Sequence, residues 1–119
     1  MAVKLSSDNL IAERYASALY DLSLEAKCVD EVLSDISVIQ EYINQNNDFS
    51  LLIRSPLITS NEKLKIIEKI LVKHSSSNLT FAFIKIISNN RRFRNLSSII
   101  SRYITINAEK RGDIIADVT

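Results

Sequence analysis

The chain has 119 residues, 46% of them hydrophobic and 24% charged, with a formal net charge of +1. This length and composition fit one globular domain with a real core, rather than a disordered chain or a membrane-spanning one. The near balance of 15 basic and 14 acidic side chains excludes a global attraction to nucleic acid, and a single glycine and a single proline disfavour a β-rich fold.

The first predicted helix begins at about Asp8 or Asn9, either of which can cap it, and ends at about Lys27. Its apolar residues fill an arc of roughly 200° on a helical wheel, about twice a single core-facing stripe. Ala12 and Ala16 lie toward one side of that arc. The other side is a shallow surface formed by Tyr15, Ala18 and Leu22. Because one neighbour cannot cover the whole arc, this surface suits a partner helix.

A second helix is predicted over residues 30–45, where apolar residues recur at steps of three and four. The polar stretch 44–48 breaks it, and residues 49–53 are long enough for only one or two turns of helix. Pro56 disfavours helical geometry at the residue before it. These signals predict a short third helix followed by a corner in the chain.

Thr59 and Glu62 have the spacing of a capping box, which predicts that the next long helix begins there and ends near His74. Ile67 and Leu71 belong to its predicted core face, whereas Lys63 and the other charged residues of this helix are expected in solvent.

The segment 78–90 resembles the first helix because it is apolar nearly all round. Leu79, Phe83, Ile86 and Asn90 share one of its faces. Here too, a single neighbouring helix cannot cover the apolar surface.

A final helix is predicted over residues 95–110, with Gly112 placed to end it. Residues 113–118 are rich in β-branched side chains and indicate an extended strand without a partner strand in this sequence. The expected fold is therefore an all-α bundle of six helices, one of them short, over residues 1–111. Residues 112–119 are expected to be a strand fragment that starts a truncated second domain.

The sequence offers little for catalysis. His74, the single histidine, stands at a predicted helix end and is expected to be solvated or to cap it. Cys28 has no second cysteine and is expected to be a packing residue in a reducing cytosol, since the N-terminus lacks a secretory signal. Without a glycine-rich loop or a Cys/His cluster, neither a cofactor nor a metal is expected.

Two functional hypotheses of different classes remain. In the first, the helices with surplus apolar surface lie side by side and leave a groove for a foreign helix, although both could instead be central and surrounded by the rest of the bundle. One wall of the groove would be Tyr15, Ala18 and Leu22, and the other would be Phe83, Ile86 and Asn90. In the second, a small helical RNA-binding module uses Arg91, Arg92 and Arg94 on phosphates, with Phe93 available to stack on a base.

Four stretches, in this order, carry a resemblance to a known family. They are AERYASALYDLS at 12–23, LIRSPLI at 52–58 with a following Lys63, ISNNRRF at 87–93 and RGDIIADVT at 111–119. Together they resemble the delta subunit of bacterial F-type ATP synthase, which is related to the mitochondrial oligomycin-sensitivity-conferring protein. The chain departs from the family pattern at Arg91, where glycine is frequent, and this departure implies a different turn.

The resemblance implies a non-catalytic stator subunit in proton-driven ATP synthesis. In that family the N-terminal domain is a six-helix bundle that sits on the catalytic head and holds the N-terminal helix of an alpha subunit. The second domain contacts the b subunits, so that the head does not turn with the rotor. The implied location is peripheral, on the cytoplasmic face of the bacterial inner membrane, without membrane insertion and without nucleic acid. The positions that match the family's alpha-helix groove are Tyr15, Ala18, Phe83, Ile86 and Asn90.

Overall fold

A computed structural model of the chain describes the backbone of residues 7–116 and the side chains of residues 8–111. Within that range the elements are α1 (Ser7–Glu25), α2 (Val29–Gln45), α3 (Asn47–Arg54), α4 (Ser60–Lys73), α5 (Asn78–Asn89) and α6 (Leu96–Ala116), with one turn of 3-10 helix at Phe93–Asn95 before α6. The predicted all-α bundle of six helices, with a short third helix, is confirmed.

The C-terminal helix is longer than the sequence predicted. α6 continues to Ala116 and passes through Gly112, so the prediction that Gly112 ends the helix is wrong. A glycine inside a helix costs only about 1 kcal/mol relative to alanine, and no proline follows it to stop the helix. The strand fragment predicted after Gly112 extends into residues 117–119, which lie outside the described residues, and it stays untested.

Side chains cap the helices where the local sequence predicts it. The Glu62 backbone N–H donates to Thr59 Oγ1 at 3.1 Å and the Thr59 N–H donates to Glu62 Oε1 at 3.2 Å, so the predicted capping box of α4 is confirmed. At the start of α5 the Ser77 hydroxyl accepts from the Thr80 N–H at 3.3 Å. Each bond satisfies an amide that has no partner inside its own helix.

Three helices end in left-handed turns built without glycine. The residues at positive φ are Lys27 at 57°, Ser75 at 58° and Arg91 at 56°. At the last of these, the Arg91 N–H donates to the Ser88 carbonyl at 3.0 Å and the Arg92 N–H donates to the Ile87 carbonyl at 2.9 Å, which is a Schellman motif. The turn at Arg91 thus has a backbone conformation that glycine favours, and the expected difference from the turn in family members with glycine stays a prediction.

The centre of the bundle is the contact between α1 and α6, which pack together more extensively than any other pair of helices. Leu19 of α1 and Ile99 and Tyr103 of α6 are fully buried. The Tyr103 hydroxyl lies 3.2 Å from the Ser23 hydroxyl, which itself donates to the Tyr20 carbonyl at 2.8 Å. Because burial disfavours the phenolate, the pKa of Tyr103 is raised above its ordinary value of 10.0.

A buried carboxylate fixes the start of α5 against α2. Asp35, on α2, is almost fully buried and accepts from the Ser77 N–H at 2.9 Å and from the Thr80 hydroxyl at 2.7 Å. The Nε2 atom of His74 lies 3.6 Å from Asp35 Oδ1. Asp35 thereby holds the α4–α5 turn on α2 and sets the position of α5.

Replacing Asp35 tests this connection. Asp35→Ala leaves the Ser77 amide and the Thr80 hydroxyl without their acceptor in a buried place, so the free energy of unfolding is expected to fall by about 2 to 3 kcal/mol in urea titrations. The matched control is Asp30→Ala on the same helix, whose carboxylate makes an exposed ion pair with Arg111 and is expected to contribute less than about 1 kcal/mol. Equal losses in the two variants would contradict the role given to Asp35.

The raised pKa of Tyr103 predicts a loss of stability in alkali. Above pH 10 the unfolded chain releases the phenol proton while the folded chain keeps it, so the free energy of unfolding falls as pH rises through this range. Tyr103→Phe is expected to flatten the slope of stability against pH above pH 10, relative to the unmodified chain. Urea unfolding at several pH values between about 9 and 11 measures both slopes.

Candidate functional site

The bundle buries only half of the apolar arc of helix α1. At 100° per residue, its buried side chains occupy an arc of only about 100°, which is half of the apolar arc seen in the sequence. These buried residues are Ala12, Ala16, Leu19, Tyr20 and Ser23. The outer half contains the predicted wall: Tyr15 is half-buried, Ala18 is exposed and Leu22 keeps 45% of its surface exposed. The bundle therefore covers one half of the arc and leaves the other open.

Helix α5 shows the same division. Ile84 and Ile87 are fully buried and Phe83 is 4% exposed, whereas Ile86 keeps 46% of its surface exposed and Asn90 is exposed. Phe83 had been predicted as part of a groove wall, and its burial makes it a floor residue instead. The alternative in which both helices are completely surrounded by the bundle is wrong for these two faces.

Tyr15 joins the two helices. Its ring meets the ring of Phe83 edge to face, with centroids 6.4 Å apart and an interplanar angle of 71°. Its hydroxyl accepts from Asn90 Nδ2 at 2.7 Å. The structure thus brings Tyr15, Phe83 and Asn90 into direct contact.

Ala18, Leu22 and Ile86 lie on neighbouring turns of the same helices and are open to solvent. Six residues form the predicted binding surface, and we call them the alpha groove: Tyr15, Ala18, Leu22, Phe83, Ile86 and Asn90. None of these side chains carries a charge at neutral pH. A surface of this kind, with two aromatic rings, one amide and otherwise aliphatic side chains, is suited to bury a helix through apolar contact.

An apolar groove that the sequence did not predict lies between α4 and the α2–α3 region. It has a volume of about 860 Å³, and its apolar lining includes Tyr42, Phe49, Ile66, Ile70 and Val72. Ile66 and Val72 fall outside the core stripe of α4, and Val72 is 66% exposed. That mismatch is the signal through which the sequence could have indicated this groove.

The arginine cluster of the RNA hypothesis lacks an available aromatic ring. Phe93 is 2% exposed and belongs to the core, so it has no face on which a base could stack. Arg94 lies 3.8 Å from Asp8 Oδ2 and is partly neutralised there.

His74, which the sequence offered as a candidate for catalysis, contacts Ser34 and Asp35 at the end of α4. His74 caps the end of α4, and the same ring nitrogen that lies near Asp35 is 3.0 Å from the Ser34 hydroxyl. A proton relay needs the two partners on different ring nitrogens, so this arrangement does not form one. Among the described residues there is no group of three or more side chains that could hold a metal ion. None of the described helices is long and apolar enough to cross a membrane.

Fold and site together define an all-α bundle whose first and fifth helices are joined by Tyr15 and leave apolar side chains exposed beside it. The family model described as ATP synthase delta (OSCP) subunit matches residues 11–119. The chain belongs to this family, and the resemblance read from its sequence is confirmed.

Proteins named ATP synthase subunit delta are among its relatives. The one from Sinorhizobium fredii (strain NBRC 101917 / NGR234) is 38% identical over 109 residues, which are 92% of this chain and 58% of the relative. The one from Parvibaculum lavamentivorans is 36% identical over 120 residues, which cover 98% of this chain and 62% of the relative. The chain thus spans less than two thirds of the length of these relatives.

Because Phe83 is buried and Ile86 is exposed, truncating these two side chains is expected to affect the stability of the bundle unequally. Phe83→Ala removes a buried ring beneath Tyr15 and is expected to lower the free energy of unfolding by about 3 to 5 kcal/mol. Ile86→Ala, one turn away at an exposed position, is expected to change it by less than about 1 kcal/mol. Urea unfolding measures both values, and a large loss from Ile86→Ala would mean that the bundle itself uses this side chain.

Proposed function

We propose that this chain is the alpha-binding part of a non-catalytic peripheral-stalk (stator) subunit of an F-type ATP synthase. Its alpha groove binds the N-terminal helix of an alpha subunit and so fixes the catalytic head against rotation during proton-driven ATP synthesis. The observation that carries the proposal is the exposure of Leu22 and Ile86, at 45% and 46%, on helices whose other faces are buried. Membership in the delta subunit family supports the same role.

The groove is organised before the partner arrives. Tyr15 is held from one side by the ring of Phe83 and from the other by the Asn90 amide, so little side-chain freedom remains to be lost on binding. Tyr15 and Ile86 are the proposed anchors, because an aromatic ring and a central branched side chain supply a large share of the energy in helix-in-groove binding. The partner helix would present apolar residues at i, i+3, i+4 and i+7.

The remaining parts of the role follow from the family. Attachment to the b subunits belongs to the second domain that the family has after this helical bundle, and the subunit is peripheral on the cytoplasmic face of the bacterial inner membrane. A subunit that joins the stator to the catalytic head needs non-covalent contacts and does not need to catalyse a reaction. This agrees with the structural surroundings of His74 at the end of α4.

Calorimetry with a synthetic peptide of the alpha N-terminal helix tests the groove. Ile86→Asp places an unpaired carboxylate against an apolar partner face and is expected to weaken binding at least 100-fold. Tyr15→Ala is expected to weaken it by about 1 to 3 kcal/mol. Because the groove residues are uncharged, the affinity of the unmodified chain should change little between low and high salt.

The matched control is Val72→Asp, which places the same charge in the apolar groove between α4 and the α2–α3 region. It is expected to leave peptide affinity unchanged. If Val72→Asp abolished binding and Ile86→Asp did not, the partner helix would bind in that other groove instead. The RNA-binding alternative would be favoured instead if the chain bound RNA with an affinity that falls steeply with salt and that requires Arg91, Arg92 and Arg94.

A further inference from the structure

A second and chemically different site lies at the corner where the α3–α4 turn meets the α5–α6 turn. It is a pocket of about 420 Å³, and four of its lining residues are basic: Arg54, Lys63, Arg91 and Arg94. Ser55, Pro56, Ile58, Ser60 and Phe93 complete the lining, which among the described residues includes no acidic side chain. We call it the basic pocket. Four positive charges converge here in a chain whose net charge is only +1.

Lys63 is the most unusual member of the basic pocket. It had been expected in solvent, and the structure shows that this expectation is wrong, because only 7% of the residue is exposed. Within residues 8–111 its ammonium makes neither a hydrogen bond nor an ion pair. Neighbouring residues cover most of its stem, and desolvation lowers the pKa of its ammonium below the ordinary value. An anion in the pocket would supply the partner that the chain does not.

The arginines of the basic pocket are also largely available. In the described part of the chain, Arg54 and Arg91 form no ion pair, and Arg94 is 3.8 Å from Asp8 Oδ2 with both side chains more than half exposed. The carboxylate of Glu62, next to Lys63 in sequence, is already bound by the backbone and hydroxyl of Thr59. Among the ion pairs of the described residues, Asp8 with Arg94 is thus the one that involves this cluster.

We propose that the basic pocket binds a small phosphate-class dianion, either free phosphate or the phosphate group of a small solute. Guanidinium groups match two oxygens of a phosphate at once, and one carboxylate would neutralise only one of the four charges. The Ser55 oxygen accepts from the Leu57 N–H at 3.2 Å, which leaves its hydroxyl hydrogen for a ligand. Because Lys63 is recessed, a small anion reaches it more easily than the backbone of a nucleic acid does.

Thermal unfolding of the 119-residue chain tests the proposal with inorganic phosphate as the probe. At about ten times its dissociation constant, phosphate is expected to raise Tm by about 4 to 8 °C above the value in sodium chloride of equal ionic strength. Acetate, which carries a single charge, is expected to give a much smaller rise. Sulfate shares the dianion chemistry and should act like phosphate.

Phosphate also stabilises proteins without binding a site, so a charge-removing variant is needed. Lys63→Met keeps the apolar stem and removes the ammonium; its Tm without phosphate is expected to equal or exceed that of the unmodified chain. Its phosphate shift should fall to the general level. Lys65→Met, an exposed position on the same helix, is the matched control and should keep the full shift.

Arg54→Gln, at an exposed position of the basic pocket, gives an independent second variant and should reduce the phosphate shift at least twofold. An equal phosphate shift in Lys63→Met, Arg54→Gln and the unmodified chain would overturn the proposal. Binding of single-stranded RNA without any shift from inorganic phosphate would overturn it as well. Because no alpha peptide is present in these experiments, either result leaves the alpha groove as it stands.

Discussion

The packing of α1 on α6 is the constraint from which the functional surface follows. Leu19 and Tyr103 are fully buried in this contact, and the hydrogen bond between Tyr103 and Ser23 fixes the rotation of one helix against the other. A helix whose apolar arc is twice as wide as its contact must leave part of that arc outside. The rotation of α1 decides which part this is, and it places Leu22 on the open side.

The position of α5 depends on buried polar groups as well as on apolar contact. Asp35 binds the start of α5 through the Ser77 amide and the Thr80 hydroxyl, and the left-handed residue Arg91 ends the same helix. With both ends fixed, the face of α5 that contains Ile86 has one orientation toward α1. Apolar packing alone is less directional and would allow the helix to rotate.

Two consecutive residues connect the two proposed sites. Asn90 donates to Tyr15 at the edge of the alpha groove, and Arg91 lines the basic pocket. The groove is uncharged and suited to a helix, whereas the pocket is strongly cationic and suited to a small anion. Their different chemistry keeps the sites distinguishable, although the end of α5 contributes to both.

The sequence by itself determined the six helices, the capping box at Thr59 and the apolar surplus on the first and fifth helices, because these depend on local spacing and hydrogen bonding along one segment. The four stretches, taken in their order along the chain, also sufficed to place the chain in its family. Tertiary structure alone decided that Phe83 is a floor and Ile86 a wall, since burial depends on which helices become neighbours. It likewise decided that Asp35 and Lys63 are buried. Charged residues are expected on the surface, and these two are covered by residues that are distant in the sequence.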